Sequence, residues 1–359
     1  MKSYKGFNKN LKCRDFQYEI GKEYEMDGEI KVCSRGFHAC ESPFEVFDHY
    51  SMIGSRFCEV EQDGNISKED RGTKICSSKI KIKAELKLAD MINLGVEWLK
   101  EITSPEKIKT SMKDNSSGNN AQIGSSGDDA QIGSSGYGAK IGSSGYGAKI
   151  GSSGYDAKIG SSGNNAQIGS SGYGAKIGSS GDDAQIGSSG NGAQIGSSGY
   201  GAKIGSSGYG AKIGSSGYDA KIGSSGNNAQ IGSSGYGAKI GSSGNNAQIG
   251  SSGYGAKIGS SGDDAQIGSS GDGAKIGSSG DGAKIDSTGE GCVIMCAGIN
   301  SVAKASKGSW ITLSEWSYSE EKQRYIPICV KTEFVDGEKI KADTYYSLKG
   351  GVFVEWIND

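Results

Sequence analysis

The chain has 359 residues, of which 62 are Gly and only 3 are Pro, and its hydrophobic fraction is 34%, below the ~45–50% of ordinary globular chains. Its 39 basic and 41 acidic side chains give a net charge of −2, which excludes a protein whose overall field attracts nucleic acid. The absence of any run of 18 apolar residues excludes a transmembrane helix. The polar N-terminus predicts no secretory signal, so the eight cysteines are expected to be reduced thiols in a cytoplasm.

Residues 1–103 are predicted to form a small α+β domain. Alternating or apolar runs predict strands at residues 3–7, 16–20, 56–62 and 79–86. Ser42-Pro43-Phe44-Glu45 has the form of a capping box, which predicts a helix that reaches about Tyr50. Helical spacing of apolar residues predicts a second helix over 88–102. The polar residues 104–118 are predicted to be a linker or a lead-in coil.

Residues 119–291 repeat the nonapeptide Gly-Ser-Ser-Gly-x-x-Ala-(Lys/Gln)-Ile, with Ile at every ninth position from 123 to 285, nineteen times in succession. The composition alone is typical of a flexible linker, but a linker has no reason to keep Ile in phase. In Ala-x-Ile the first and third side chains share one side of a strand, so Ala and Ile are expected inside and Lys or Gln outside. The repeat therefore predicts a β-solenoid, in which each unit is stabilised by stacking on its neighbours.

The number of repeats per coil is open between two, which gives a flattened coil with two sheets, and three, which gives a triangular coil. Two are favoured, because one Ile and one Ala per strand make only a thin core. With coils ~4.8 Å apart, the repeats would form a rod of roughly 30–45 Å. Burial of one Ile contributes roughly 1.5–3 kcal/mol, less than the backbone entropy of nine ordered residues, so serine hydroxyl ladders and cooperative stacking are also expected.

Residues 292–359 are predicted to be degenerate coils followed by a β-rich C-terminal cap. Ile294 and Ala303 keep the phase of the repeat. Residues 325–335 and 338–340 around Asp336-Gly337 predict one hairpin, and residues 345–348 and 352–356 predict another. The fold class is therefore mainly β, a β-solenoid covered at its ends by the two non-repetitive segments, as open sheet ends require.

Outward Tyr and Lys side chains of the repeats are the candidate binding surface, because a Tyr ring beside a Lys can stack on a partner. The competing interpretation is that each Tyr packs over the stem of its own Lys. The candidate residues are seven pairs: Tyr137 and Lys140, Tyr146 and Lys149, Tyr173 and Lys176, Tyr200 and Lys203, Tyr209 and Lys212, Tyr236 and Lys239, Tyr254 and Lys257.

Metal and cofactor sites are not expected. Repeats with Asp resemble the calcium-binding nonapeptides of secreted toxins, but most repeats have Gly or Asn at the Asp position, and calcium needs six or more oxygens. Cys13, Cys33, His38 and Cys40 could surround zinc, but their spacing fits no familiar zinc pattern. These cysteines are predicted to lie in the core or in turns.

The N-terminal domain offers an enzymatic alternative. Residues 4–7 (Tyr-Lys-Gly-Phe), 36–40 (Gly-Phe-His-Ala-Cys) before a helix, and 57–61 (Phe-Cys-Glu-Val-Glu) follow an order similar to that of ADP-ribosyltransferases, although the first motif lacks that family's His or Arg. This resemblance would make Glu59 or Glu61 the catalytic acid. Without it, the sequence contains no catalytic constellation that we recognise, and a non-enzymatic protein is favoured.

Both ends of the chain resemble a domain family of unknown function that recurs in bacteriophages and prophages. The resemblance implies a phage accessory protein made in the host cytoplasm and no known activity. It rests on residues 4–7, 11–13, 16–22, 36–40 and 58–62 at one end, and on 335–341 and 345–348 at the other.

The sequence thus favours a solenoid scaffold without a cofactor that binds a host protein and counteracts host defence. A structural virion component, such as a fibre or spike segment, is a further alternative. Membrane association is not expected, the sequence gives no strong reason to expect a nucleic-acid partner, and self-association is left open.

Overall fold

A computed structural model describes residues 1–52, 54–69, 73–102, 114–116 and 118–357. They form an N-terminal α+β domain, a two-sheet β-solenoid of about 11 turns and a C-terminal β region. Within these residues, no helix is long and apolar enough to cross a membrane.

The N-terminal domain is built on one antiparallel sheet that contains, in order, Glu23–Glu25, Lys74–Leu86, Phe37–Cys40, Lys2–Phe7 and Arg56–Lys68. The last of these strands also pairs with Lys74–Leu86. Three predicted strands are confirmed, and all three are longer than predicted, whereas the strand predicted at 16–20 has only two residues and lies in a separate ribbon. The strands are β1 Lys2–Phe7, β2 Lys12–Cys13, β3 Phe16–Gln17, β4 Glu23–Glu25, β5 Phe37–Cys40, β6 Arg56–Lys68 and β7 Lys74–Leu86.

Two helices complete the domain, α1 Val46–His49 and α2 Leu88–Ile102. Helix α2 has the predicted bounds, but the predicted capping box does not form. The carboxylate of Glu45 instead accepts hydrogen bonds from the backbone N–H of Thr73 at 2.6 Å and its hydroxyl at 2.7 Å. Helix α1 consequently begins at Val46 and has a single turn. Of the predicted linker, residues 104–113 and 117 lie outside the described residues, and 114–116 form the first strand of the rod.

The rod consists of strands β8 to β29, which alternate between two parallel sheets. The first sheet, here called the covered face, contains Asp114–Ser116, Gln131–Ser134, Lys149–Ser152, Gln167–Ser170, Gln185–Ser188, Lys203–Ser206, Lys221–Ser224, Lys239–Ser242, Lys257–Ser260, Lys275–Ser278 and Val293–Cys296. The second sheet, here called the open face, contains Gln122–Ser125, Lys140–Ser143, Lys158–Ser161, Lys176–Ser179, Gln194–Ser197, Lys212–Ser215, Gln230–Ser233, Gln248–Ser251, Gln266–Ser269, Lys284–Ser287 and Val302–Ala305.

Each strand pairs in register with the strand 18 residues away, so that Ile132 lies opposite Ile150 and Ile141 lies opposite Ile159. This register confirms two repeats per coil. At ~4.8 Å between coils, the eleven layers make a rod about 48 Å long.

The core of the rod is a column of Ile and Ala side chains, as predicted. From Ala139 to Ala283 the alanines are completely buried, and from Ile132 onward the isoleucines are no more than 4% exposed. The strand itself is (Lys/Gln)-Ile-Gly-Ser rather than Ala-x-Ile, and its Ser also points inward. The predicted hydroxyl ladders are absent for these inner serines from Ser143 to Ser287, whose hydroxyls have no hydrogen-bond partner. Copies in register repeat every ~4.8 Å, too far for an O–H···O bond.

Each turn depends on two glycine-compatible positions. The residue before Ala has positive φ and is Gly, Asn or Asp, as in Gly201 at 66° and Asp183 at 53°. These three residue types tolerate the left-handed region best. The Gly that ends Gly-Ser-Ser-Gly is required for close approach, since a Cβ at Gly199 would lie 2.0 Å from the carbonyl oxygen of Gly181 in the preceding coil.

The C-terminal region extends both sheets. β30 (Trp310–Ser319) adds to the covered face in parallel and pairs with β31 (Arg324–Phe334), so the predicted hairpin around Asp336-Gly337 is wrong. The longer preceding strand β30 pairs with β31 in place of residues 338–340. Asp336 instead accepts hydrogen bonds from the N–H groups of Glu338 and Ile340. The second predicted hairpin is confirmed as β32 (Tyr346–Lys349) and β33 (Val352–Glu355), which extend the open face.

Candidate binding surfaces

Both faces of the rod display the same outward order of side chains. Along each strand of the repeats, Lys or Gln is followed by the strand Gly and then by the second Ser of the turn, because alternate residues point out. Stacking converts this order into a row of glycines between a Lys/Gln ridge and a Ser ridge. The two ridges are four residues apart, or about 13 Å, slightly more than the ~10–12 Å diameter of a helix.

On the covered face, the N-terminal domain fills this trough over four successive glycines. A Cβ on Gly223 would meet Leu88 at 2.9 Å, and one on Gly205 would meet Ile92 at 2.8 Å. At Gly169 the nearest side chain is Leu99, at 2.8 Å. Helix α2 therefore lies along the rod axis, and its turns of 5.4 Å nearly match the ~4.8 Å between strands.

The fourth glycine, Gly187, is covered by Phe44, which would lie 2.3 Å from an added Cβ. Phe44 reaches this position because α2 has Gly95 there, where a Cβ would approach the Phe44 ring to 2.7 Å. The missing side chain in the helix thus makes room for an aromatic ring on the floor of the trough.

The Lys/Gln ridge of the covered face is contacted by carboxylates from the region of α1. Asp48 forms an ion pair with Lys203 and accepts hydrogen bonds from the Gln185 amide at 3.0 and 3.1 Å, and Glu45 accepts one from Gln167 at 3.1 Å. Burial lowers the pKa of Lys221, and the neighbouring cations Lys203 and Lys239 of the same row lower it further. On the other ridge, the hydroxyl of Ser207 donates to Asn93 of α2 at 2.7 Å.

The open face has the same trough without this cover. An added Cβ would meet no atom within 4 Å, chain neighbours apart, at any of nine successive glycines. The groove along the Lys/Gln ridge has a volume of about 1700 Å³ and ends at Tyr345 of the C-terminal region. The nine glycines are Gly124, Gly142, Gly160, Gly178, Gly196, Gly214, Gly232, Gly250 and Gly268.

The ridge of the open face is unevenly charged. Between residues 122 and 270, its outward positions include four cations and no carboxylate. The cations occupy one half, at Lys140, Lys158, Lys176 and Lys212, whereas the strands further along begin with Gln230, Gln248 and Gln266. The trough is therefore basic over one half and neutral over the other.

The structure does not unite the predicted Tyr and Lys residues in one surface. Lys140, Lys176 and Lys212 lie on the open face, whereas the other four lie on the covered face. Of these, Lys203 is only 8% exposed against Asp48, and Lys149 has its ammonium 5.5 Å from the ring centre of Trp98. The covered-face members are Lys149, Lys203, Lys239 and Lys257.

The seven tyrosines of the predicted pairs lie in turns at the two edges of the rod. Tyr137, Tyr173 and Tyr209 precede strands of the open face, and Tyr146, Tyr200, Tyr236 and Tyr254 precede strands of the covered face. All are more than half exposed. Their ring contacts are with tyrosines of adjacent coils, as between Tyr236 and Tyr254 at 4.9 Å. Where Asn or Asp replaces Tyr, its side chain instead accepts the N–H one coil further on, as Asp182 does from Tyr200 at 2.8 Å.

The N-terminal domain contains a separate cleft of about 670 Å³. At its base the buried ammonium of Lys5 donates to the carbonyl oxygen of His38 at 2.7 Å and contacts the sulfur of Cys13 at 3.6 Å. Burial lowers the pKa of Lys5. Burial, with the nearby cations Lys5 and Lys74, lowers the pKa of His38 to about 4, so this imidazole is neutral at pH 7 and accepts the N–H of Cys33 at 3.0 Å.

The two glutamates of the enzymatic alternative are outside this cleft. Glu59 and Glu61 form ion pairs with Lys2 and Lys83, each at 2.9 Å. Glu59 lies opposite Tyr4, whereas Lys5 lies opposite Cys58, so Glu59 and Lys5 are on opposite sides of the sheet. Neither glutamate is placed to act on a ligand in the cleft.

The cysteines are all thiols. Burial raises the pKa of Cys40 and of Cys296 to about 12, which makes both poor nucleophiles and poor metal ligands. Among the described residues, no three His, Cys, Asp or Glu side chains are grouped as a metal site requires.

Residues 1–94 match a family described as a domain of unknown function (DUF7666). The match covers the N-terminal domain up to the middle of α2 and agrees with the unknown activity that the sequence resemblance implied. No curated protein and no solved structure shows significant similarity to the chain.

Proposed function

We propose that this chain is a non-enzymatic binding protein in which the rod presents a surface to a macromolecular partner. The observation that carries the proposal is the uncovered trough of the open face, which extends over nine coils. A flat, regular sheet with a glycine floor has little side-chain entropy to lose when a partner covers it.

The covered face supports the same function, because there the trough already holds a protein element. Apolar side chains meet the glycines and polar groups meet the ridges, which is the anatomy of a protein–protein interface. The near-zero net charge of the chain gives no comparable support for nucleic acid as the partner.

The resemblance to a bacteriophage family would place this partner in the cytoplasm of a bacterial host, and antagonism of a host defence protein is the role that we propose there. A virion component is the competing function, and mass spectrometry of purified particles distinguishes the two. The chain would be absent from particles if it acts in the host cell.

The direct test is affinity capture from a lysate of the cell that produces the protein. Tagged full-length chain should retain at least one protein in near-stoichiometric amount, and an excess of untagged chain should displace it. The matched control is a chain with the same tag in which Gly178 and Gly196 of the open face are replaced by Val. If no retained protein is displaced by untagged chain, the proposed function is wrong.

A further inference from the structure

We infer that the open face binds an amphipathic α-helix with an acidic flank, laid along the rod axis over the basic half of the trough. This inference rests on the proposed function and specifies its surface and the chemistry of its partner. The bound helix would cover the coils from Gly160 to Gly214.

The first argument is that the covered face supplies an occupied copy of the same site. The two faces alternate every nine residues, so the glycines covered by the N-terminal domain, from Gly169 to Gly223, correspond to those from Gly160 to Gly214 on the open face. Each face has an equivalent row of glycines as its floor. On the covered face, helix α2 lies over this row with about one helical turn per strand. A partner helix needs apolar residues on one strip, at the spacing of Leu88, Ile92 and Leu99.

The second argument is charge complementarity. On the covered face the Lys/Gln ridge is satisfied by Asp48 and Glu45. On the open face Lys158, Lys176 and Lys212 have exposed side chains and no carboxylate ion pair within the described part of the chain. A helix with carboxylates on the ridge side would gain these charge-assisted contacts, each worth more at an interface that excludes water.

The third argument concerns the floor itself. None of the glycines from 160 to 214 on this face has the positive φ that would explain Gly by backbone conformation. None has an atom within 4 Å of an added Cβ, so the fold leaves space there for larger residues. In strands, residues with side chains are more favourable than Gly, so a glycine floor is suited to the close approach of another element, as α2 approaches the covered face.

A peptide based on α2 is the probe for this surface. It carries residues 88–102 with Gly95→Leu, which fills the strip where Phe44 enters, and with Met91→Glu, Leu94→Glu and Trp98→Glu. At 100° per residue these three glutamates form one row beside the apolar strip, on the flank that would face the Lys ridge. The control peptide has Lys at the same three positions.

Fluorescence anisotropy with the labelled peptide and the purified full-length chain measures binding. We expect the Glu peptide to bind at least tenfold more tightly than the Lys peptide, with an affinity that falls as salt increases. Gly178→Val with Gly196→Val should weaken binding at least tenfold. The matched double variant, Gly250→Val with Gly268→Val, changes the same face outside the basic half and should bind normally.

Three results would overturn the inference: equal binding of the two peptides, equal binding to the two double variants, or self-association of the chain that the Gly178/Gly196 variant abolishes. The last would assign the trough to a second copy of the chain. Circular dichroism of each variant controls for folding. A captured cellular protein that persists when the peptide fails would leave the proposed function intact and assign it to another surface.

Discussion

Two glycines of one repeat, Gly196 and Gly199, give the sharpest test of the coil geometry. An Ala at position 199 would place its Cβ 2.0 Å from the carbonyl oxygen of Gly181, whereas an Ala at position 196 would meet nothing within 4 Å. Neither glycine has a positive φ. The two substitutions therefore add the same methyl group to the same strand and turn, and they differ only in the space available.

The magnitude follows from the separation that Gly199→Ala would force. Ordinary contact begins near 3.4 Å, so a contact at 2.0 Å requires the coils to move apart by about 1.4 Å. The two neighbouring bonds between these coils would be lost, one from the N–H of Ser198 to the carbonyl of Ser179 at 3.0 Å and one from the N–H of Asp183 to the carbonyl of Tyr200 at 2.7 Å. Two such bonds at ~1 kcal/mol each and ~1–3 kcal/mol of overpacking strain predict about 3–5 kcal/mol of destabilisation.

Gly196→Ala should change the free energy of unfolding by less than about 1 kcal/mol, and in the stabilising direction, because Ala restricts the unfolded chain. Urea unfolding followed by circular dichroism measures both variants, and hydrogen exchange of residues 176–206 locates the effect. Equal stability of the two variants, within about 0.5 kcal/mol, would refute the close stacking of coils through this glycine.

Three further predictions concern the core, the cleft and the order of the coils. Ser206→Ala should stabilise the rod by about 1 kcal/mol in urea unfolding, because it removes a completely buried hydroxyl without a partner; a loss of stability would mean that the hydroxyl is bonded. Because the folded pKa of His38 is about 4 and the unfolded value ~6.5, the unfolded state binds the extra proton, so the stability of the N-terminal domain should fall as pH decreases from 6.5 to 4. His38→Gln should flatten this dependence, and NMR titration of the imidazole, with His49→Gln for assignment, should show no protonation at pH 5.5. Deletion of residues 250–258, one repeat, should keep the rod folded but move the C-terminal hairpin to the other side of the rod relative to the N-terminal domain. Deletion of residues 250–267, one whole coil, should only shorten the rod by ~4.8 Å. Distances between spin labels in the two end regions distinguish these outcomes.

The solenoid was predictable because its signal is repeated nineteen times. The phase of Ile and Ala determines which side chains are buried, and the thin core that they make favours two sheets rather than three. The strand bounds were harder to predict from the sequence, because Gly and Ser have low strand propensity and are included in the strand only through the stacking of successive coils. The inward Ser follows from extending the period-2 alternation by two residues beyond Ile, a step that the sequence allows.

The docking of the N-terminal domain was not predictable from the sequence. The pairing of Asp48 with Lys203 joins residues 155 positions apart, and no local pattern indicates it. The capping-box prediction fails for the same reason, because Glu45 bonds to Thr73 and Gln167 rather than to the start of its own helix. One signal was available: Gly95 interrupts the apolar face of α2, and a glycine inside a helix indicates a close neighbour.

The duplication within the repeats connects the sequence to the two faces. The block from Tyr137 to Gln185 recurs at Tyr200 to Gln248 with only Asp182-Asp183 changed to Asn245-Asn246, a shift of 63 residues, which is seven repeats. Because a coil has two repeats, seven repeats are three and a half coils, and the copy is therefore rotated to the opposite side of the rod. Tyr155 and Tyr173 form a ring contact on one edge, and their copies Tyr218 and Tyr236 form one on the other.

An odd duplication therefore exchanges the faces for every residue that it copies. The run of Lys140, Lys158 and Lys176 on the open face has its copy in Lys203, Lys221 and Lys239 on the covered face, where Lys203 meets Asp48. The same Lys run thus contributes to the internal interface in one copy and to the exposed ridge in the other. Gain or loss of an odd number of repeats between the two runs would move the second run, with Lys203, to the open face and away from Asp48. An even change in repeat number keeps each run on its own face.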